Sequence, residues 1–176
     1  MSIEDRAEII SLQVANLCIL RPNLEEVLLI RREKEPYQGL WGMPGGKVKN
    51  NERGDLAGAR ELKEETGLRL RPKFSLGWCY ERVWEGNPSD GGTVKYVFHI
   101  QFFKFVTKAR TKRKSVEGEL RWFRISDLAK TEIIPSDPLM IRSFIFNEKV
   151  YAKSDIGFKD GKYHLINFWD EPHDYN

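Results

Sequence analysis

Gly45-Gly46-Lys47-Val48-Lys49-Asn50-Asn51-Glu52, then Arg53-Gly54-Asp55-Leu56-Ala57-Gly58-Ala59, then Arg60-Glu61-Leu62-Lys63-Glu64-Glu65-Thr66-Gly67-Leu68 decide how this chain reads. Residues 53–66 lack Pro and are rich in Glu, Lys, Arg, Ala and Leu, which are good helix formers; Gly67 follows as a helix-ending glycine. The composition predicts one helix over 53–66. At about 100° per residue, Glu61, Glu64 and Glu65 fall within an arc of roughly 100°, with Ala57 and Gly58 on the same arc. Ala59, Leu62 and Thr66 lie opposite and are expected to pack on a sheet. Like charges at i, i+3 and i+4 repel, at a few tenths of a kcal/mol per pair. A hard divalent cation reverses that sign, because carboxylate oxygens are what Mg²⁺ or Mn²⁺ prefers. Small neighbours leave room for a bulky anion, and Gly45-Gly46 lets backbone come close, so a carbonyl such as that of Gly45 is a further candidate ligand. For three glutamates alone, a solvated acidic face is the competing reading.

Outward from this stretch, Leu12–Leu20 and Val27–Ile30 are rich in apolar and β-favouring residues and are separated by the turn-like Arg21–Glu26, which predicts a hairpin. Pro44 and the paired glycines are expected to stop any regular element within Gly39–Val48. Phe74–Trp84 alternates, with Phe74, Leu76, Trp78 and Tyr80 on one face. Val94–Val106 alternates too, with Val94, Tyr96, Phe98, Ile100 and Phe102 together. Leu120–Ile125 reads as a short strand, with Ser126 or Asp127 capping a helical turn after it. Ser136 is the expected N-cap of a second helix running to about Asn147, with Pro138 in its first turn. Residues 150–169 read as short strands or loops, and 170–176 as a frayed tail. Strands and helices are mixed without regular βαβ alternation, which favours an α+β or α/β/α domain with a mixed sheet over a doubly wound fold.

The spacing from Gly46 to Leu68 resembles the Nudix box, G-x5-E-x7-R-E-U-x-E-E-x-G-U, with U a bulky aliphatic residue. Gly46, Glu52, Arg60, Glu61, Leu62, Glu64, Glu65, Gly67 and Leu68 occupy every fixed position. A looser likeness extends to Val27–Arg32 before the box and Glu119–Phe123 after it, and fades over the C-terminal residues. Lys49 stands where many members carry Glu, and Asn50-Asn51 replaces a common Pro-Gly, a change that Asn tolerates in a left-handed turn. The resemblance implies a Nudix-type α/β/α sandwich around a mixed sheet, one domain over 1–176, with 150–176 as its C-terminal extension. It also implies hydrolysis of a nucleoside diphosphate linked to another moiety, with Mg²⁺ or Mn²⁺. Glu61, Glu64 and Glu65 become the metal-binding carboxylates, and Glu52 and Arg60 a pair holding loop to helix. Which carboxylate takes the proton varies within the family.

Glu117, before Gly118, is the favoured further acidic ligand. Trp41, Gly46 and Lys47 are the candidate substrate contacts, Trp41 by stacking on a base. Trp78, Tyr80 and Trp84 are further candidates for stacking, although core packing is the commoner use of such residues. The basic run Lys108, Arg110, Lys112, Arg113 and Lys114 reads as a solvated loop or a phosphate trap. His99 reads as a structural histidine that could instead face the cleft. There is no G-x-S-x-G elbow and no Cys/His nucleophile setting, which disfavours covalent catalysis.

Substrate markers downstream of the box are missing. Val83-Trp84 stands where ADP-ribose hydrolases often carry a Pro, Glu85-Gly86 where dinucleoside-polyphosphate hydrolases carry a Tyr, and the NADH-hydrolase marker is absent. Elimination points to a nucleoside triphosphate, with 8-oxo-dGTP the leading case. ADP-ribose, nucleotide sugars and capped RNA ends are the alternatives, and a non-catalytic nucleotide-sensing module is one of another class.

The 176 residues carry 29 basic and 26 acidic side chains, a net charge of +3, too small by itself for duplex DNA binding. Hydrophobic residues at 40% and charged residues at 31% suit a water-soluble globular chain. No apolar run reaches the ~20 residues of a membrane helix, and the N-terminal segment lacks the pattern of a signal peptide. A cytoplasmic monomer or homodimer that binds a small nucleotide, and neither membrane nor duplex, is the expectation. Cys18 and Cys79 are expected as buried free thiols.

Overall fold

The computed structural model describes residues 8–70 and 75–171. The expected strand start at Phe74 and the tail beyond Glu171 lie outside the described residues. The strands are β1 (Ile10–Leu20), β2 (Glu26–Arg31), β3 (Trp41–Gly42), β4 (Gly45–Lys47), β5 (Gly77–Glu85), β6 (Thr93–Val106), β7 (Lys114–Ser115), β8 (Gly118–Arg124), β9 (Tyr151–Lys159) and β10 (Lys162–Asp170). Helix α1 spans Gly54–Thr66; α2 spans Asp137–Ile141 and continues as a π-helical turn through Phe146. The strands form one sheet in the order β10-β9-β5-β6-β1-β2-β8-β7, with β3 on β2 and β4 on β1. The β1–β6 and β5–β9 pairs are parallel and the others antiparallel, so the sheet is mixed as expected.

The core lies on both faces of this sheet. On one, Ala57 and Leu62 of α1 pack with Leu17, Ile19, Leu28, Ile30, Phe103 and Phe105. On the other, Met140, Ile141 and Phe144 pack with Cys18, Leu29, Cys79, Ile100 and Phe102. Cys18 and Cys79 are buried free thiols, and burial pushes both well above the ordinary thiol range.

The structure departs from expectation in five places. The glycine-rich segment forms strands: β4 pairs with Val14–Asn16 of β1, a close approach that needs Gly45. Gly45 sits at φ 150°, and a Cβ there would collide with the Ala15 carbonyl oxygen. In β5 the buried face is Cys79, Glu81 and Val83, whereas Trp78 is exposed. Period-2 alternation names two faces and not which one is inside, and Glu81 hides the signal. Arg124, without a side-chain cap, precedes the 3-10 turn Ile125–Lys130, so neither Ser126 nor Asp127 caps it. Ser136 stands at the start of α2 but makes no side-chain cap; its hydroxyl donates to Glu81 instead. Finally, the loosely read C-terminal stretch is a hairpin of two nine-residue strands, turning at Asp160-Gly161, both with positive φ. Among the described residues no helix is long and apolar enough to cross a membrane.

Candidate active site

Helix α1 begins one residue later than expected and ends as expected, with Gly67 in the left-handed region at φ 79° and its N–H donating to the Lys63 carbonyl at 3.0 Å. Its orientation needs a correction. The buried positions are Ala57, Gly58, Leu62, Glu65 and Thr66, and Ala59 is only half-buried. Gly58 brings the helix against the sheet: a Cβ there would touch Phe103 and Leu17 at 3.4 and 3.5 Å. The smallest residues thus serve close packing, not space for an anion. The three glutamates consequently straddle the border of the buried stripe. Glu65 is 3% exposed, Glu61 is half-buried and Glu64 is exposed.

Arg60 organises this border. Its Nε and Nη2 donate to the two oxygens of Glu52, both at 2.9 Å, and Nη2 also donates to the Lys47 carbonyl at 3.0 Å. Nη1 reaches Glu61 Oε1 and, more loosely at 3.4 Å, Glu64 Oε2. Glu52 Oε2 accepts from the Lys49 N–H at 2.9 Å, so loop and helix are tied at both ends of one carboxylate. The Arg60 hydrogen bonds hold the Glu52 carboxyl down at about 2. Asn51, in the departing Asn-Asn pair, takes a positive φ of 63°, so the turn survives the loss of Pro-Gly.

The Gly45 N–H donates to Glu65 Oε2 at 2.8 Å. Burial pushes the Glu65 carboxyl up to about 8, with the charges of Glu61 and Glu117 adding to the rise. Burial likewise raises Glu61, again with Glu117 contributing. Glu117, exposed on the β7–β8 turn, therefore lies close enough to be felt by both box carboxylates. Gly46 is part of the same construction, because a Cβ there would collide with the Glu61 carboxylate.

These donors fit a divalent cation by chemistry: hard oxygen ligands, mutually repelling, one of them desolvated. They are not gathered around one point. Among the described residues no three His, Cys, Asp or Glu side chains form a group that could hold an ion as they stand. Glu61 is turned onto Arg60 and Glu65 onto Gly45.

The remaining candidates divide. Lys47 is exposed beside the clamp. Trp41 does not stand in a cleft: it is 8% exposed, edge-on to Phe123 at 4.8 Å, with the Arg121 guanidinium 5.2 Å from its ring. Pairing of Trp41 with Arg31 on β2 turns the indole into the core, so its expected stacking role is withdrawn. The basic run lies exposed on either side of Thr111. His99 faces a groove of about 470 Å³ together with Trp78, Gln101 and Ser75, beside Glu52 and Gly54.

A second set of buried acids gave no sequence signal. Glu81, 2% exposed, accepts from Tyr37 at 2.6 Å, Ser154 at 2.7 Å and Ser136. Asp137 accepts from the Met43 N–H at 2.7 Å, and burial pushes it up to about 8. A lone acid inside an alternating strand reads as an outward residue; only its hydroxyl partners, distant in sequence, reveal otherwise.

Comparison with known proteins places the chain among similar sequences and folds. The NUDIX domain model matches residues 11–144. An ADP-ribose pyrophosphatase of Methanocaldococcus jannaschii is 33% identical over 60% of this chain and 58% of its own length. The uncharacterized Nudix hydrolase YvcI of Bacillus subtilis is 29% identical over 72% of this chain and 75% of its own. An 8-oxo-dGTP diphosphatase of Buchnera aphidicola is 33% identical over 42% of this chain and 69% of its own. Among solved structures, the MutT protein of Bacillus halodurans superposes with a TM-score of 0.67 at 19% identity, over 92% of this chain and 99% of its own, and shows the same fold. With its family model matched from the first strand to Phe144, and the Glu52–Arg60 and Gly46–Glu61 contacts in place, the chain belongs to the NUDIX family.

Proposed function

We propose that this chain is a divalent-metal-dependent pyrophosphohydrolase that splits a nucleoside diphosphate linkage with water. The observation that carries this reading is the Arg60 network, which holds Glu52 and Glu61 against the Gly45–Lys47 strand while Glu65 lies buried beneath it. In this reading Glu61, Glu64 and Glu65, the Gly45 carbonyl and Glu117 hold Mg²⁺ or Mn²⁺. The bound ion would supply charge neutralisation for the phosphate oxygens and acidify water. Arg60 keeps the Glu61 carboxylate oriented, Glu52 keeps Arg60 in place, Gly46 leaves space beside Glu61, and the Lys47 ammonium meets the phosphate chain. The chain works as a single domain, residues 150–176 being its extension, since β9 pairs onto β5.

The proposed substrate is a nucleoside or deoxynucleoside triphosphate, 8-oxo-dGTP foremost, giving the monophosphate and pyrophosphate. Relatives named for 8-oxo-dGTP support this, and the relative named for ADP-ribose sets the competitor. A panel of triphosphates, ADP-ribose and nucleotide sugars, assayed with Mg²⁺ for pyrophosphate and phosphate release, tests it. A triphosphate should give the highest kcat/KM. A hundredfold preference for ADP-ribose or a nucleotide sugar would overturn the substrate assignment and leave the pyrophosphohydrolase standing.

A further inference from the structure

The positive charge of this chain is concentrated in one loop. Lys108, Arg110, Lys112, Arg113 and Lys114 follow the end of β6, and without those five the 26 acidic side chains would outnumber the basic ones. All five are exposed. The backbone beneath them is fastened at three points. Arg21 Nη1 donates to the carbonyls of Thr107 at 3.3 Å and Ala109 at 2.8 Å, the Lys112 N–H donates to the Thr66 carbonyl at 3.3 Å, and the Arg113 carbonyl accepts from the Leu120 N–H at 2.9 Å. The cationic heads themselves are uncommitted: among the described residues none of the five makes a side-chain hydrogen bond or an ion pair. A cation at the end of a helix is stabilising by itself, because it meets the negative end of the dipole. That accounts for Lys112, whose stem lies against Gly67, but the effect fades within the last turn and leaves the other four unexplained.

The place of the loop supplies the rest. Thr66, to which it is tied, follows Glu65, and Glu117, on the turn just beyond Lys114, lies close enough to raise both Glu61 and Glu65. The loop thus borders the proposed metal-binding face. Arg60 is committed there to Glu52, Glu61 and Glu64, and Arg121 to Glu119, so neither is free to meet a phosphate. Uncommitted cations beside a carboxylate cluster suit a ligand with more negative charge than the metal site offsets. In ADP-ribose or a nucleotide sugar both phosphates sit at the scissile linkage and the second moiety is neutral. A triphosphate or longer chain has phosphates beyond the linkage, and ammonium and guanidinium groups are what bind them. A nucleic-acid backbone is disfavoured, because its recognition needs a basic track along the strand, whereas these cations are crowded together and give way at once to Glu117 and Glu119. We propose that the loop at residues 108–114 grips the phosphates of a nucleoside polyphosphate that lie beyond the scissile linkage, and so selects three or more phosphates over ADP-ribose or a nucleotide sugar; this rests on the pyrophosphohydrolase reading above.

Two measurements on the full chain test it. Calorimetric titration with inorganic tripolyphosphate in EDTA reads the loop apart from any hydrolysis. Wild type should bind tripolyphosphate at least about tenfold more tightly than orthophosphate. Joint replacement Lys108→Gln, Arg110→Gln, Arg113→Gln and Lys114→Gln should cost about tenfold or more and flatten the salt dependence. Arg110→Lys with Arg113→Lys should bind like wild type, since a point charge serves a phosphate. In steady-state kinetics with Mg²⁺ the glutamine variant should raise KM for a nucleoside triphosphate about tenfold and change kcat less than about threefold, because the outer phosphates are held in ground and transition states alike. Its affinity for ADP-ribose, as substrate or competitor, should stay within about twofold of wild type. Thermal melts check that the variants fold. No binding of tripolyphosphate, a glutamine variant that handles tripolyphosphate and triphosphate like wild type, or an equal loss for ADP-ribose would overturn the proposal. Single-stranded RNA bound more tightly than tripolyphosphate would do the same by assigning the loop to a nucleic-acid backbone. A wild type that binds tripolyphosphate through the loop yet hydrolyses no nucleotide would overturn the pyrophosphohydrolase reading and leave the loop a polyphosphate site.

Discussion

Arg60 and Glu52 meet side by side, Nε to Oε1 and Nη2 to Oε2, each at 2.9 Å, so that an arginine in mid-helix fixes the carboxylate that closes the preceding loop. Both side chains are largely withdrawn from water, at 21% and 16% exposure. Because the same guanidinium holds Glu61, the pair links loop geometry to the proposed metal-binding face.

Arg60→Lys should therefore be a severe change despite keeping the charge. An ammonium cannot make the paired contact, and hydrogen bonds to charged groups are worth about 1.5–3 kcal/mol. The expected result is a Tm lowered by several degrees and kcat/KM down by at least tenfold. A variant with wild-type kcat/KM would show that the clamp does not position Glu61.

Gly46→Ala should lose activity while the chain stays folded. The added Cβ collides with the Glu61 carboxylate and must push it off its position beside the loop. Turnover at saturating Mg²⁺ should fall more than tenfold, with a circular dichroism spectrum like that of wild type. Full activity would mean that Glu61 can act from elsewhere.

Glu81→Leu should be among the most destabilising single changes. It leaves the hydroxyls of Tyr37, Ser136 and Ser154 facing an apolar group in the core, a loss of about 2–5 kcal/mol. Urea unfolding measures it. A loss under 1 kcal/mol would mean that the three hydroxyls find other partners.

Asp137 gives the stability curve a pH dependence with a defined sign. Its folded pKa, pushed up to about 8, lies above the ordinary value of 3.8, so the folded state holds the proton more tightly. The stabilisation is complete below about 4 and is lost as pH rises towards 8. Asp137→Asn keeps an acceptor for the Met43 N–H and removes the charge. The variant's stability relative to wild type should accordingly rise between pH 4 and pH 8. A difference that stays flat, or falls, contradicts the burial of an ionisable Asp137.

Helix α1 was legible because its ends carry local signals and its spacing is fixed by 3.6-residue geometry. What the spacing could not show was how deep each residue sits: Glu65 is buried because Gly58 draws the helix onto Phe103, a tertiary contact. The sheet strands were legible as alternation, yet β5 was read with Trp78 and Tyr80 sharing a face that turned out to be the open one. Hydrophobic bulk argued for Trp78 inside, and the true inward face carries Glu81, whose partners come from Tyr37, Ser136 and Ser154, far away in the chain. Trp41 failed as a substrate contact for a related reason: proximity to the box in sequence did not reveal that pairing with β2 turns its ring inward.

The most direct measurement is pyrophosphate release from a triphosphate as a function of Mg²⁺, for wild type and Glu65→Gln. The substitution keeps shape and an acceptor for the Gly45 N–H and removes the charge that the proposed site requires. Wild type should be active only with the metal, and Glu65→Gln should lose most turnover even at saturating Mg²⁺ while its thermal melt remains cooperative. Turnover within tenfold of wild type under those conditions would contradict the assignment of these carboxylates to a metal-dependent pyrophosphohydrolase.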